Sequence, residues 1–417
     1  MAIGVGGSTP ERELARLCDM TTGIVTIDQS DWEGRIVRAQ ALMREQGIDA
    51  LYLDATVNLN YFSGLNLTLS ERLHGAILPA SGPLVYITPA FEKPKIRSLL
   101  QIDGAIRVWD EHEDPGALVI SVIESLGIAS GRVAIDPSAP FFNVDGLRKA
   151  GNRYELINGA SITGGCRSVK TPREIALLQR SNEITLTVQK AAARILRAGI
   201  VTTEVQSFII EAYSRLGIKA SNVFPPIVLF GEATAYPHGV GYPQTLKDGD
   251  TVLMDLCCSL DGYISDTTRT YVFGEPTQRQ REVWSLEKAA QLAGFKAAIP
   301  GAACEDVDHA ARSLIENTPG FEKDYGVPGL PHRTGHGIGM EVHEESYIVR
   351  NNKRPLETGM CFSIEPMICI YGAFGIRLED CAYMAEDGAR WFTQPAHSID
   401  DPFGYEAQGD AEGEAQE

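Results

Sequence analysis

Residues 251–270 read TVLMDLCCSLDGYISDTTRT, and this stretch decides how the rest of the chain is interpreted. An apolar run, a glycine-containing turn and a second run rich in threonine predict a β-hairpin. Each arm carries an acid, Asp255 on the first and Asp266 on the second. An aspartate that follows Val, Leu and Met in a core strand is costly to bury unless something compensates its charge. The hairpin therefore indicates a buried acidic site, although this stretch alone is also compatible with two turn or surface acids.

Histidines are concentrated in a second stretch, residues 330–346, which reads LPHRTGHGIGMEVHEES. It holds His332, His336 and His343, three of the eight histidines of the chain, and glycines surround His336. Glycine has no Cβ, so the backbone there can approach a neighbouring group closely. A lone histidine would more often be structural, but this concentration favours a functional site.

Two further acids, Glu365 in CFSIEP and Glu379 in GIRLED, are predicted to lie inside apolar strands. Taken alone, they are also explained by ion pairs with Arg377 and Arg269, without any metal. Taken together, four carboxylates and one imidazole form the ligand inventory of a dinuclear metal site: Asp255, Asp266, His336, Glu365 and Glu379. Oxygen-rich ligation favours Mn²⁺, with zinc and cobalt as alternatives. Two such cations can hold a water as hydroxide, which is the nucleophile of a hydrolase.

Composition restricts the class of protein. With 417 residues and about 150 residues per domain, we expect two or three domains. The chain has 37 basic and 55 acidic residues, a net charge of -18, which excludes nucleic acid and anionic membranes as partners. No apolar run reaches the roughly 18 residues of a membrane span, and residues 1–31 carry charges where a signal peptide needs an apolar core. We therefore expect a cytoplasmic protein whose eight cysteines, none of them in a CxxC pair, are reduced and mostly buried.

The order of predicted elements indicates two domains. Helix 31–47, ended by Gly47, precedes strands near 50–54, 75–78, 84–88, 106–109 and 133–135, with helices at 94–100 and 117–126 between them. Helices at 174–198 and 203–216 then precede strands near 227–230 and 251–256, helices near 280–299 and 304–317, and a run of strands to residue 384. We predict an α/β domain over 1–165, an α+β catalytic domain over 166–403 and a disordered acidic tail over 404–417.

At this point the residues resemble a known family, the pita-bread-fold metallopeptidases that include Xaa-Pro dipeptidase (prolidase), Xaa-Pro aminopeptidase and methionine aminopeptidase. The five candidate ligands occur in the family's order, Asp, Asp, His, Glu, Glu, within matching motifs. The first half, with ALYL near residue 50 and NYFSG at 60–64, is similar to the family's creatinase-type N-terminal domain. The resemblance implies an α+β protein with a C-terminal pita-bread fold, two divalent metal ions per subunit and a homodimer.

The resemblance also implies roles for individual residues. A metal-bridging hydroxide attacks the scissile carbonyl, Glu365 shuttles the proton, and His343 stabilises the tetrahedral intermediate. His238, in the segment YPHG, lines the substrate pocket near the scissile amide, and His332 contacts the substrate carboxylate. Arg377 orients a ligand carboxylate such as Asp255 or Glu379.

Three positions depart from the family pattern. Ser346 replaces a proline, Met367 replaces a glycine, and Cys369 stands where a tyrosine is expected, with Tyr371 nearby as a substitute for its hydroxyl. The leading hypothesis is an Xaa-Pro dipeptidase. The alternatives are an aminopeptidase acting on longer peptides, a non-peptidase of the same fold such as a metal-dependent lyase or a C–N hydrolase, and a binding protein on an inactive fold. The complete ligand set and the net charge of -18 disfavour the last.

Overall fold

A computed structural model describes residues 2–406, so the predicted acidic tail lies outside the described residues except for its first three positions. The helices are α1 (Pro10–Arg16), α2 (Gln29–Gln46), α3 (Val57–Ser63), α4 (Lys93–Leu99), α5 (Pro115–Ser125), α6 (Phe141–Ala150), α7 (Ala160–Arg167), α8 (Pro172–Arg194), α9 (Thr202–Arg215), α10 (Gln278–Ala297) and α11 (Cys304–Glu316). No helix among these described residues combines the length and the apolar character that crossing a bilayer requires.

The strands follow the same chain order. They are β1 (Ala50–Asp54), β2 (Gly75–Pro79), β3 (Val85–Pro89), β4 (Ala105–Trp109), β5 (Gly131–Ile135), β6 (Tyr154–Asn158), β7 (Ile227–Phe230), β8 (Thr251–Leu256), β9 (Ser259–Leu260), β10 (Tyr263–Ile264), β11 (Thr267–Val272), β12 (Gly335–Gly337), β13 (Glu344–Ile348), β14 (Cys361–Ile364), β15 (Met367–Ile370), β16 (Phe374–Arg377), β17 (Asp380–Ala385) and β18 (Gly388–Trp391). The mixture of helix and sheet confirms the α+β prediction.

Contacts divide the chain into two units, and the first is Ile27–Arg167. Its six-stranded sheet has the order β4-β3-β2-β1-β5-β6, with parallel pairing of β1 with β5, of β5 with β6 and of β3 with β4. Helix α2 begins at an Asp28 capping box and ends at Gly47, whose φ of 64° is the left-handed conformation that favours glycine. Every strand that the sequence predicts in this unit is present.

Sequence patterns did not predict α1, α3, α6, β6 and α7. In α6 only Asn143 and Leu147 are buried, while Phe141 and Phe142 are exposed, so the helix lacks a continuous apolar stripe. Helix α7 lies in the segment that composition marks as the domain boundary, because glycine and threonine lower its helix propensity.

The second unit consists of Met1–Thr26 and Ser168–Glu417. Its α8 begins at a capping box formed by Thr171 and Glu174. Four sheets follow within the described residues: β11-β8-β7, the pair β10-β9, β13-β12-β14-β17-β18 and the pair β15-β16. An apolar cluster lies beneath them, including Leu253, Trp284 and Ile376.

The first residues of the chain belong to this second unit by their contacts. Buried Glu13 accepts hydrogen bonds from Ser8 and Arg16 and forms an ion pair with Arg194, and the Ile3 amide donates to the carbonyl oxygen of Asp400. The sequence assigns these residues to the first domain, and the bounds 1–165 and 166–403 stay predictions.

Residues 251–270 form one hairpin with constant register. Thr268 lies opposite Asp255, Ile264 opposite Ser259 and Tyr263 opposite Leu260. Asp261 and Gly262 form the turn, with φ values of 50° and 85°. Positive φ at both central residues is the requirement of the type I′ turn, which matches the twist of the flanking strands. The hairpin prediction is confirmed, and the turn aligns Asp255 and Asp266 on neighbouring strands.

Candidate metal centre

Asp255 and Asp266 approach each other across the hairpin. Asp255 lies within β8, and Asp266 immediately precedes β11. One carboxylate oxygen from each, together with the Cys257 Sγ, lies within 4.8 Å of the others. Asp266 is only 4% exposed, so a charged pair here needs a compensating cation.

His336 reaches the same place from β12. A Cβ on Gly335 would lie 2.1 Å from the Ser363 carbonyl oxygen, and one on Gly337 would lie 2.4 Å from that of Glu345. Only glycine therefore allows β12 to pass between its neighbours. The His336 Nδ1 donates to the Gly337 carbonyl oxygen at 3.0 Å, which directs Nε2 toward the carboxylates.

The His336 Nε2 lies 3.0 Å from Glu365 Oε1, 3.7 Å from Asp266 Oδ2 and 4.0 Å from Glu379 Oε1. The structure therefore brings together all five residues that the sequence predicts as ligands. One detail of the prediction is wrong, because Glu365 and Glu379 lie between strands and not inside them. Their chain segments leave one sheet for another at these positions, which turns the side chains out of the apolar layers.

The charges in this cluster are mutually destabilising in the bare protein. Burial and the charge of Asp255 raise the pKa of Asp266 to about 8. Burial and the neighbouring Asp266 raise the pKa of Glu379 well above its ordinary value. Burial also opposes ionisation of Glu365, but His336 outweighs it and holds the pKa of Glu365 at about 2. Several carboxylates and one imidazole, buried together without enough positive charge, fit a site for divalent cations.

Arg377 donates a hydrogen bond to one of these carboxylates, at a position where the family resemblance implies an orienting role. Its Nη2 donates to Asp255 Oδ2 at 2.5 Å, and its Nη1 donates to the Pro237 carbonyl oxygen at 2.9 Å. Its Nε donates to the Thr268 hydroxyl at 3.1 Å, and that hydroxyl donates to Glu379 Oε2 at 2.6 Å. Arg377 thus contacts Asp255 directly and Glu379 through Thr268.

Three histidines that the sequence predicts for substrate binding have different surroundings. The His343 ring lies 4.4 Å from that of His336, and burial together with the charge of His336 lowers the pKa of His343 to about 4. His238 is exposed, and its charge contributes to the lowered pKa of His343. The His332 Nδ1 donates to the Arg333 carbonyl oxygen at 2.6 Å, and its buried Nε2 has no partner within residues 2–406. An unpartnered buried nitrogen is suited to a ligand.

Sequence reasoning missed three residues at the centre: Cys257, Thr268 and Ser363. The Ser363 hydroxyl accepts from the His336 amide at 3.1 Å and donates to Glu365 at 3.3 Å. The Cys257 Sγ donates to Asp266 Oδ1 at 3.0 Å. Strand alternation was the available signal for Cys257, because residues 255 and 257 point to the same face of an extended strand.

The positions that depart from the family pattern also have defined surroundings. The Met367 Sδ lies 3.5 Å from Arg377 Nη1, and Cys369 is buried in the core beneath the sheets. Tyr371 is 53% exposed, with its ring 5.2 Å from that of Tyr236. Ser346 is buried, and its hydroxyl has no partner among the described residues.

Comparison with known proteins supports the resemblance to metallopeptidases with a creatinase-type N-terminal domain. The model of metallopeptidase family M24 matches residues 176–386, and that of the creatinase/prolidase N-terminal domain matches residues 35–169. An uncharacterized peptidase of Schizosaccharomyces pombe is 32% identical, over 88% of this chain and 82% of that protein. Dipeptidase PepE from Mycobacterium ulcerans is 31% identical in sequence to this chain. Its crystal structure aligns with a TM-score of 0.82, over 90% of this chain and 98% of the PepE chain. The prolidase from Thermococcus sibiricus is 29% identical in sequence. Its structure aligns with a TM-score of 0.79, over 87% of this chain and 97% of the prolidase chain.

Proposed function

The chain belongs to metallopeptidase family M24, and from that premise we propose that it is an Xaa-Pro dipeptidase that works with two divalent cations. The observation that carries the proposal is the convergence of Asp266, Glu365 and Glu379 on His336 Nε2, beside Asp255. The names of the similar solved proteins, a dipeptidase and a prolidase, support the choice of substrate.

The five converging residues would hold the cations. When bound, a pair of divalent cations lowers the pKa of a water and polarises a carbonyl oxygen. Manganese is the first candidate because most of the ligand atoms are carboxylate oxygens, with zinc and cobalt as alternatives. The homodimer and the cytoplasmic location expected from the sequence complete the proposal.

The protein's own side chains would move the proton and stabilise charge. Glu365 would accept a proton from the attacking water and deliver it to the proline nitrogen, which must leave protonated. His336 lowers the pKa of Glu365, so this carboxylate is ionised. His343, beside His336, would donate a hydrogen bond to the developing oxyanion.

Two further histidines would position the substrate. His238 would line the pocket near the scissile amide. The His332 Nε2 would face the carboxylate of the substrate's proline, because its Nδ1 is already engaged with the Arg333 carbonyl oxygen. A carboxylate beside this ring would favour its protonated form, which offers Nε2–H as a donor.

The test is hydrolysis of Ala-Pro, Ala-Pro-Ala and Ala-Ala by chelated protein and by protein reconstituted with Mn²⁺. We expect cleavage of Ala-Pro alone, dependent on the metal and abolished in Asp255→Ala. The control is Asp387→Ala, an exposed acid that pairs with Arg390. It should cleave Ala-Pro at the rate of the unmodified protein.

Other results would contradict the proposal. Preference for Ala-Pro-Ala would make the protein an aminopeptidase. Absence of cleavage by protein with bound metal would reject peptidase activity on these substrates and favour a non-peptidase reaction at the same centre.

A further inference from the structure

Cys257 lies where the hairpin directs metal ligands. Asp255 and Cys257 are two residues apart on one arm, so their side chains leave the same face of the strand. On one side of Cys257, Leu256 pairs with Thr267. On the other side, the Ser265 amide donates to the Cys258 carbonyl oxygen. Cys257 therefore lies opposite Asp266. The sulfur therefore lies within 4.8 Å of a carboxylate oxygen of each aspartate.

The adjacent cysteine lies in a different environment. The buried Cys258 Sγ lies 3.5 Å from both the Thr185 and the Ser265 hydroxyls, within the protein core. The Cys257 Sγ, by contrast, forms a compact group with carboxylate oxygens of Asp255 and Asp266. The two thiols have similar chemistry and adjacent positions, but only one belongs to the candidate metal centre.

Asp266 has a separate contact on each of its oxygens. Its Oδ1 lies 3.0 Å from the Cys257 Sγ, while its Oδ2 lies 3.7 Å from His336 Nε2. This carboxylate therefore connects two sets of donor atoms. One is Asp255, Cys257 and Asp266, which we name the sulfur side, and the other is Asp266, His336 and Glu379.

We propose that Cys257 is a metal ligand and that its sulfur makes the sulfur side selective for Zn²⁺ over Mn²⁺. The inference rests on the metal centre of the proposed function and adds a ligand to it. Thiolate sulfur is a soft donor that favours zinc, whereas manganese favours carboxylate and water oxygens. The metal–sulfur bond forms as the thiol proton is lost to solvent. The two metal positions are then chemically unequal.

Extended X-ray absorption at the zinc edge tests the bond directly. The protein is stripped with a chelator and loaded with Zn²⁺ alone. We expect one sulfur neighbour of zinc at about 2.3 Å, in addition to nitrogen and oxygen neighbours. Loading with Co²⁺ should give a sulfur-to-cobalt charge-transfer band in the near ultraviolet.

Matched variants assign the sulfur. In Cys257→Ser the sulfur neighbour and the cobalt band should disappear. The Kd for Zn²⁺ should rise at least about tenfold, while the Kd for Mn²⁺ changes little. Cys258→Ser is the control, and it should keep the sulfur neighbour and the affinity for Zn²⁺. Circular dichroism of each variant confirms that it is folded.

The outcomes separate this inference from the proposed function. Zinc bound without a sulfur neighbour in the unmodified protein overturns the inference, even if Ala-Pro is cleaved. A sulfur neighbour that persists in Cys257→Ser also overturns it. A sulfur neighbour lost only in Cys257→Ser supports the inference, even if no peptide in the panel is cleaved.

Discussion

At the scale of single residues, Arg377 connects several groups at the metal centre. Its buried guanidinium donates to Asp255, to the Thr268 hydroxyl and to the Pro237 carbonyl oxygen. A lysine has one compact ammonium and cannot reproduce these three directions. We expect Arg377→Lys to lower metal affinity or kcat/KM for Ala-Pro by about 10- to 100-fold, measured by metal titration and steady-state kinetics.

The control for this prediction is Arg390→Lys. Arg390 is 57% exposed in its side chain and pairs with Asp387, which is also exposed. Arg390→Lys should leave metal affinity and kcat/KM for Ala-Pro unchanged. Equal losses in the two variants would contradict the role that we assign to Arg377.

His343 provides a second prediction at this scale. If its imidazole stabilises the oxyanion, His343→Ala should lower kcat for Ala-Pro by about 100- to 1,000-fold, because the interaction is made in the transition state. Metal content, measured by elemental analysis, should be retained, because His343 is not among the five proposed ligands. His309→Ala, an exposed histidine that contacts Ser313, is the control. Loss of metal in His343→Ala would instead make His343 a ligand.

At the scale of secondary structure, the hairpin turn sets the register of the two aspartates. Gly262 has φ of 85°, and a Cβ there would lie 3.2 Å from the Met340 Cε, the flexible end of a side chain. The cost of Gly262→Ala is therefore mainly backbone strain, about 1 to 2 kcal/mol. We expect a lower thermal unfolding midpoint for this variant.

Gly34→Ala is the control of opposite sign. Gly34 lies inside α2, and a Cβ there meets nothing within 4 Å. Alanine should stabilise this helix by about 1 kcal/mol. A destabilised Gly34→Ala, or an unchanged Gly262→Ala, would contradict the backbone argument.

Helix α10 carries a lysine whose charge is poorly solvated. Burial lowers the pKa of Lys288 to about 8. The unfolded chain then binds more protons than the folded protein between about pH 8 and the ordinary lysine pKa of about 10.4. The free energy of unfolding should therefore rise with pH across this window as the penalty for the charged form is lost.

Lys288→Met should remove this pH dependence. At pH 7 we expect the variant to be more stable by about 1 to 3 kcal/mol, and the difference should vanish above the ordinary lysine pKa. Denaturant unfolding of chelated protein from pH 7 to 10.5 measures the difference between the two proteins. If the difference in free energy of unfolding between the two proteins does not change with pH, Lys288 is not the source of the pH dependence.

At the scale of the whole molecule, the second unit concentrates acidic side chains in its interior. Burial and neighbouring carboxylates raise the pKa of both Asp266 and Glu379. A bound divalent cation relieves this repulsion, so metal should stabilise the fold. At about 100 times its Kd, one cation adds about 2.7 kcal/mol.

Differential scanning calorimetry with Mn²⁺, with Zn²⁺ and with a chelator measures this effect. We expect either metal to raise the unfolding midpoint and the chelator to lower it. Asp255→Ala should reduce the increase, whereas Asp387→Ala should leave it unchanged. An equal increase with Mg²⁺ in Asp255→Ala would indicate nonspecific binding.

The sequence by itself predicted most of the local structure and the five candidate ligands. An apolar run, an Asp-Gly turn and a threonine-rich run encode the hairpin within about twenty positions, because neighbouring residues decide backbone conformation there. Resemblance to the family added the order of the five candidate ligands. The residues without such local signals, including those of α6 and α7, were not predicted.

Only the tertiary structure decided which of the distant groups meet. Thr268 and Glu379 are far apart in sequence, yet their hydrogen bond is 2.6 Å long. The sequence predicts Cys257 only as one of eight reduced thiols, whereas the structure places its Sγ 3.0 Å from Asp266 Oδ1. Such contacts depend on how sheets pack and on the burial of charge, to which many remote residues contribute. No short stretch of sequence specifies them, because their energies arise only when the chain is folded.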